Sequence, residues 1–184
     1  LSLLPDDDVA LAAERDFLTA AELPSCLSLT SHLLPLTYHP SPHHANIPYT
    51  IHHMPSSSLN RGGEVKGRLI GGNLSVLYGL QGTPYSLNAI IDKLEEAPVL
   101  LIEDICERHY HIDRMLNNLR MSGILGRLSG VIVGQFTDCD DDKLMGCTVQ
   151  ESIHQALAGY DYPIMWNTPY GHVDENEPIL FCGN

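Results

Sequence analysis

The sequence predicts an α/β fold: a small sheet with partly parallel strands and flanking helices. Three observations lead there. The runs "APVLLIED" (97–104) and "GVIVGQF" (130–136) are short and largely apolar, the pattern of strands covered on both faces. Two stretches of helical character, 107–123 and 148–159, lie between and after them. Strand and helix therefore alternate, so crossovers join successive strands and some of them must pair in parallel.

From residue 64 onward each element has a local reason. "EVKGRLIGG" (64–72) reads as a short strand running into a glycine turn. Asn73 suits a helix N-cap, and "LSVLYGL" (74–80) reads as a short apolar helix closed by Gly82 and Pro84. Within 107–123, Ile112, Met115, Leu116 and Leu119 form an apolar stripe, and Gly123 fits the position just past a helix end. Thr148 and Glu151 make a capping box that opens the helix 148–159. "YPIMWN" (162–167) and "PILFC" (178–182) read as further strands.

Residues 1–57 have a different texture. One helix is expected over Asp8–Ala21, and beyond it Pro, Ser and His dominate. Repeated prolines push their preceding residues out of the helical region and break any period. His32, His39, His43, His44, His52 and His53 fall here, but no carboxylate or cysteine joins them at ligand spacing, so no metal site is assigned to them. The expected organisation is an irregular Pro/Ser/His-rich lead-in over 1–57 and one α/β domain over 58–184.

Composition excludes several function classes. The chain has 184 residues and a formal net charge of −13. That charge argues against nucleic acid and against an anionic membrane surface, both of which call for clustered Lys and Arg. No apolar run is long enough to cross a bilayer. The five cysteines, Cys26, Cys106, Cys139, Cys147 and Cys182, show no C-x-x-C spacing. A disulfide framework or zinc knuckle is therefore not expected, and a reducing compartment is.

Ligands of an open α/β sheet bind outside the carboxyl ends of its strands. Glu103 and Asp104 end one expected strand, Asp138 follows another, and His172 follows a third. If those strands are parallel, these residues share one edge of the sheet. A carboxylate beside a histidine at such an edge can fix the imidazole tautomer and stabilise the imidazolium. Glu103 is the stronger candidate because it lies nearer the buried strand, although the ordinary reading of an acid at that place is a solvated strand end or a cap on the following helix. His172 alone could be a solvated loop residue. "TDCDDDK" (137–143) lacks the glycine and distal glutamate of a calcium loop and reads as a solvated acidic loop. "GGN" (71–73) could cradle an anion, but matches no nucleotide-binding fingerprint. Ser75 has no nucleophile-elbow context, and its spacing beside Leu74 and Leu77 suggests packing. Tyr110, Asp113 and Arg114 suggest a structural ion-pair network.

Four segments carry a family resemblance: "GRLIGGNLSVLYGLQGTPY", "VLLIEDICERHYHIDRMLNNLRMSGIL", "GVIVGQFTDC" and "PIMWNTPYGHVDENEPILF". In this order and at these gaps they resemble the C-terminal part of the murein LD-carboxypeptidases, a serine-peptidase family that includes the microcin-immunity peptidases. The resemblance covers about residues 58–182. It implies a two-domain enzyme whose N-terminal domain carries a nucleophilic serine in a Gly-x-Ser-Asp motif, and whose C-terminal domain supplies a glutamate and a histidine. On that pattern Glu103 matches the glutamate and His172 the histidine, with Glu107 as a rival for the acid. The implied substrate is murein peptide: terminal D-alanine is released from murein tetrapeptide in cytoplasmic wall recycling, without metal or other cofactor, by an enzyme that commonly forms homodimers.

The sequence departs from this pattern at one point. No Gly-x-Ser-Asp motif occurs anywhere in it, and residues 1–57 do not resemble the nucleophile domain. With a first residue that is not Met, and a chain that stops just after an expected strand, this predicts a fragment truncated at its end, or the product of a rearranged gene. Its missing partner would be the N-terminal nucleophile domain, and the chain alone would be inactive. The alternative is a catalytically inactive remnant serving as a binding or dimerisation module. A metal-dependent amidase using His172 with the N-terminal histidines is a third reading.

Overall fold

The computed structural model describes residues 57–174 and 176, together with the backbone of two short strands, β1 (Leu27–Ser28) and β2 (Tyr49–Thr50). β1 and β2 pair in parallel, Leu27 opposite Tyr49 and Ser28 opposite Thr50, within the segment that the sequence suggests is irregular. The helix expected over 8–21, the histidines of the lead-in and the strand expected over 178–182 lie outside the described residues.

The main sheet has four strands in the order β3 (Leu69–Asn73), β4 (Val99–Ile105), β5 (Gly130–Thr137) and β6 (Ile164–Met165). Every pairing among them is parallel. Parallel neighbours need a crossover, and helices supply it each time. α1 (Leu74–Gly79) and α2 (Leu87–Ile91) link β3 to β4, α3 (His109–Met121) links β4 to β5, and α4 (Val149–Leu157) links β5 to β6.

Side chains alternate across each strand, and the core divides accordingly. Leu100 and Ile102 of β4 join Val131 and Val133 of β5 in the larger cluster, where the α3 stripe of Ile112, Met115, Leu116 and Leu119 packs with Ile153 and Leu157 of α4. Val99 and Leu101 point the other way, with Val65, Leu69, Ile132 and Met165, and Tyr170 packs against them. Burying each of these aliphatic side chains stabilises the fold by roughly 1.5–3 kcal/mol before entropy is charged.

The caps follow the sequence closely. Asn73 Oδ1 accepts from the Val76 amide at 3.0 Å at the start of α1. Thr148 and Glu151 form both bonds of the capping box on α4. Gly123, at φ 78°, ends α3 in the left-handed region.

Two expectations need correction. Gly71 and Gly72 lie within β3 and form no turn. Gly71 stands opposite Leu101, and a Cβ there would sit 2.0 Å from the Leu101 carbonyl oxygen. The strand expected over 162–167 is only two residues long. Pro163 precedes it without an amide to give, and Asn167 at φ 59° turns the chain away soon after it. The sequence also gives no hint of α2, a five-residue helix capped by Ser86 and too short to show a period.

Tyr162 offers a check on this region. Its hydroxyl is buried with no hydrogen-bond partner among the described residues. Burial first, then the neighbouring Tyr160, pushes its pKa well above the ordinary value near 10. A raised pKa means that this group's contribution is fully present below about pH 10 and is lost as the pH climbs through the folded-state value. Tyr162→Phe should therefore keep or slightly raise stability at neutral pH, and should flatten the loss of stability above pH 10 in urea titrations. An unchanged alkaline slope would contradict that assignment.

Candidate active site

The site forms at the carboxyl ends of β4, β5 and β6. Strand alternation sends the two adjacent acids of β4 to opposite faces. Asp104 is 1% exposed and sits on the helix side. Its carboxylate accepts from Asn73 Nδ2 at 2.9 Å, the Ser75 amide at 3.0 Å, the Ser75 hydroxyl at 2.7 Å and its neighbour's Ile105 amide at 2.9 Å. The carboxylate of Asp104 thus sits where the sequence suggested that "GGN" could cradle an external anion. Ser75 is correspondingly a hydrogen-bond donor, and the packing role read from its spacing is corrected.

Glu103, 4% exposed, points to the other face, and a break in register brings it there. Ile102 pairs with Val133 and Asp104 with Phe136, so Glu103 alone faces two residues of β5, Gly134 and Gln135. Such a bulge bends the strand and re-aims side chains beside it. Two glycines leave room for the carboxylate. A Cβ on Gly134 would lie 3.1 Å from Glu103 Cβ and 2.5 Å from the Tyr170 carbonyl oxygen. A Cβ on Gly171, which has φ 123°, would lie 2.8 Å from Glu103 Oε2.

His172 completes the arrangement. Its Nδ1 lies 2.8 Å from Glu103 Oε2. An ionised carboxylate only accepts, so Nδ1 donates and the neutral ring is left with a lone pair on Nε2. The glutamate side chain is 6% exposed and the imidazole 49% exposed. No described residue is bonded to Nε2. A buried acid thus holds one ring nitrogen while the other faces outward, the arrangement of an orienting carboxylate and a proton-transferring base. Tyr170 lies close by, and burial followed by the Glu103 charge pushes its phenol pKa up.

The remaining candidates have other partners. Glu107 Oε2 is 2.7 Å from His111 Nδ1, one turn along α3, and not with His172. Asp138 is exposed at φ 52° and is bonded to neither member of the pair. The loop 137–143 is only partly the solvated cluster that was expected. Asp141 accepts from the Val149 amide at the start of α4, and Asp142 caps the turn at Lys143–Met145. Among the described residues no group of three or more His, Cys, Asp or Glu is placed to hold a metal. Arg114 stacks over Tyr110 at 5.9 Å, and Asp113 accepts from Asn117, which replaces the ion-pair network expected there.

The family model for the LD-carboxypeptidase C-terminal domain matches residues 66–183. The chain belongs to the LD-carboxypeptidase family. Its relatives include the "Probable murein peptide carboxypeptidase" of Bacillus subtilis (strain 168), 43% identical over 77 residues, which are 42% of this chain and 22% of that protein. The murein tetrapeptide carboxypeptidase of Pseudomonas aeruginosa is 31% identical over 112 residues, 61% of this chain and 34% of that protein. The muramoyltetrapeptide carboxypeptidase of Oxalobacter formigenes has a solved structure that superposes with a TM-score of 0.56 at 27% identity, over 67% of this chain and 40% of that one. The chain thus spans about a third or less of the length of these curated relatives. The α/β fold with a parallel four-stranded sheet thus matches part of that solved carboxypeptidase structure.

Proposed function

We propose that this chain is the proton-handling part of a serine-type LD-carboxypeptidase that releases the terminal D-alanine of murein tetrapeptide. The observation that carries the reading is the 2.8 Å contact between His172 Nδ1 and the buried Glu103 carboxylate, the two residues that the sequence resemblance points to as histidine and glutamate of the triad. The relatives in Pseudomonas aeruginosa and Oxalobacter formigenes, a murein tetrapeptide and a muramoyltetrapeptide carboxypeptidase, support that choice of substrate. No Gly-x-Ser-Asp motif occurs in the 184 residues, so the nucleophile is assigned to a domain outside them.

In the proposed reaction His172 Nε2 takes the proton from the serine hydroxyl as its oxygen attacks the scissile carbonyl. The imidazolium that forms is stabilised by Glu103, and then gives its proton to the departing D-alanine amine. A water deprotonated by the same nitrogen hydrolyses the acyl-enzyme and regenerates the serine. No step calls for a metal. The setting proposed is cytoplasmic wall recycling, by an enzyme that is a homodimer.

Joining the chain in frame to a family-type nucleophile domain tests the reading. The fusion should release D-alanine from murein tetrapeptide, should spare the same peptide ending in L-alanine, and should ignore a chelator. Release that stops on chelation, or no release from a folded fusion, would refute it. The absent serine motif favours a second reading, an inactive remnant that serves as a binding or dimerisation module, and a folded but inert fusion is what that reading expects.

A further inference from the structure

We propose that Gln135 is a positioning residue, whose side-chain amide latches the loop carrying His172 onto the sheet and so holds the imidazole in register with Glu103. This rests on the reading of His172 as the base. Gln135 occupies the bulge of β5 opposite Glu103, and half of its work is done by the backbone, since its amide donates to the Tyr170 carbonyl at 2.9 Å. The side chain adds two further bonds. Nε2 donates to Asn167 Oδ1 at 3.0 Å and to the Thr168 carbonyl at 2.8 Å.

The segment it grips would otherwise be weakly fixed. Asn167 has left the strand at φ 59°, and Gly171 lies at φ 123°, so the chain bends sharply on both sides of Pro169. Thr168 holds the inner edge, with its amide and its hydroxyl both on the Val133 carbonyl at 3.2 Å. Gln135 supplies the outer edge. His172 follows four residues after Thr168, its ring half-exposed and bonded among the described residues only to Glu103. A side-chain shift of about 1 Å is enough to break a contact of hydrogen-bond length. The one bulge thus does two things: it faces Glu103, and it presents Gln135 to the loop that must meet Glu103.

The imidazole tautomer of His172 in the 184-residue chain tests this, because a residue that merely supports the fold would not change it. Long-range proton–nitrogen NMR correlations in alkaline buffer, where an imidazole is neutral, distinguish Nδ1–H from Nε2–H. The His172 signals are assigned with His172→Gln. Wild type should be in the Nδ1–H form that donates to Glu103. Gln135→Met keeps the side-chain length and loses both donors, and should raise the Nε2–H population several-fold while the near-UV signal of Trp166 stays unchanged. Gln135→Glu, of the same shape and also without donors, should do likewise, and replaces the methionine variant should that one not fold.

The idea is overturned if wild type is in the Nε2–H form, or if both folded variants keep the wild-type tautomer. Tautomers that shift as expected while the nucleophile fusion releases no D-alanine would uphold the latch and sink only the proposed reaction.

Discussion

Alone, the 184-residue chain should release no measurable D-alanine from murein tetrapeptide. On the proposed reading the bonded pair Glu103 and His172 only moves protons, and the covalent step of a serine peptidase belongs to an oxygen that such a pair activates. In a triad enzyme, removing the nucleophile alone costs roughly a millionfold in turnover. Here the loss should be larger if the donors that stabilise the tetrahedral oxyanion belong to the domain that carries the nucleophile, since one such donor is worth on the order of a hundred- to a thousandfold. Nor do Ser75 and Ser152 offer a substitute. Ser75 is bonded to Asp104 on the opposite face of the sheet from Glu103, and the Ser152 hydroxyl is bonded to the buried His109 at 2.8 Å. Peptide incubation with amino-acid analysis checks this, and clear D-alanine release that survives chelation would refute it.

The largest stability effect is expected at Gly71. Gly71→Ala would place a methyl 2.0 Å from the Leu101 carbonyl oxygen and 2.9 Å from the Leu101 amide nitrogen, both backbone atoms that cannot swing aside. The φ of 121° adds strain, worth about 1–3 kcal/mol for a non-glycine residue. With the clash included, a loss of about 4 kcal/mol or more is expected, against a total of about 5–15 kcal/mol for a typical domain. Gly72→Ala is the control. Its φ of 133° carries the strain, but nothing lies within 4 Å of the added carbon, so about 1–3 kcal/mol is expected. Urea midpoints measure both. Equal losses would show that the contact between β3 and β4 does not enforce the glycine.

What the sequence made legible follows from how local each cause is. The runs at 99–105 and 130–137, the α3 stripe and the Thr148–Glu151 box depend on a few neighbouring residues, and the structure has all of them. The meeting of Glu103 with His172 was legible at one remove, because crossovers force parallel strands and parallel strands put their carboxyl ends together. The bulge that aims Glu103 was not legible. It depends on which β5 residues face β4, and "GVIVGQF" reads the same with or without an unpaired residue. Asp104 was undervalued for a related reason. Adjacent acids at a strand end look alike in sequence, yet one is bonded by four donors and the other by a histidine 69 positions later. Gln135 gave no signal at all, since its partners Asn167 and Thr168 are over thirty residues away.

The claim at the centre is that His172, held by Glu103, moves the protons of the reaction. The most direct test is the turnover number for D-alanine release by the nucleophile-domain fusion, compared across wild type, His172→Ala and Glu103→Gln. Losing the base in a triad enzyme costs on the order of a millionfold, and losing the orienting acid about ten-thousandfold. Both losses should appear in kcat with little change in KM, because the pair acts in the transition state. A fusion whose kcat is the same with and without the His172 imidazole would contradict the account.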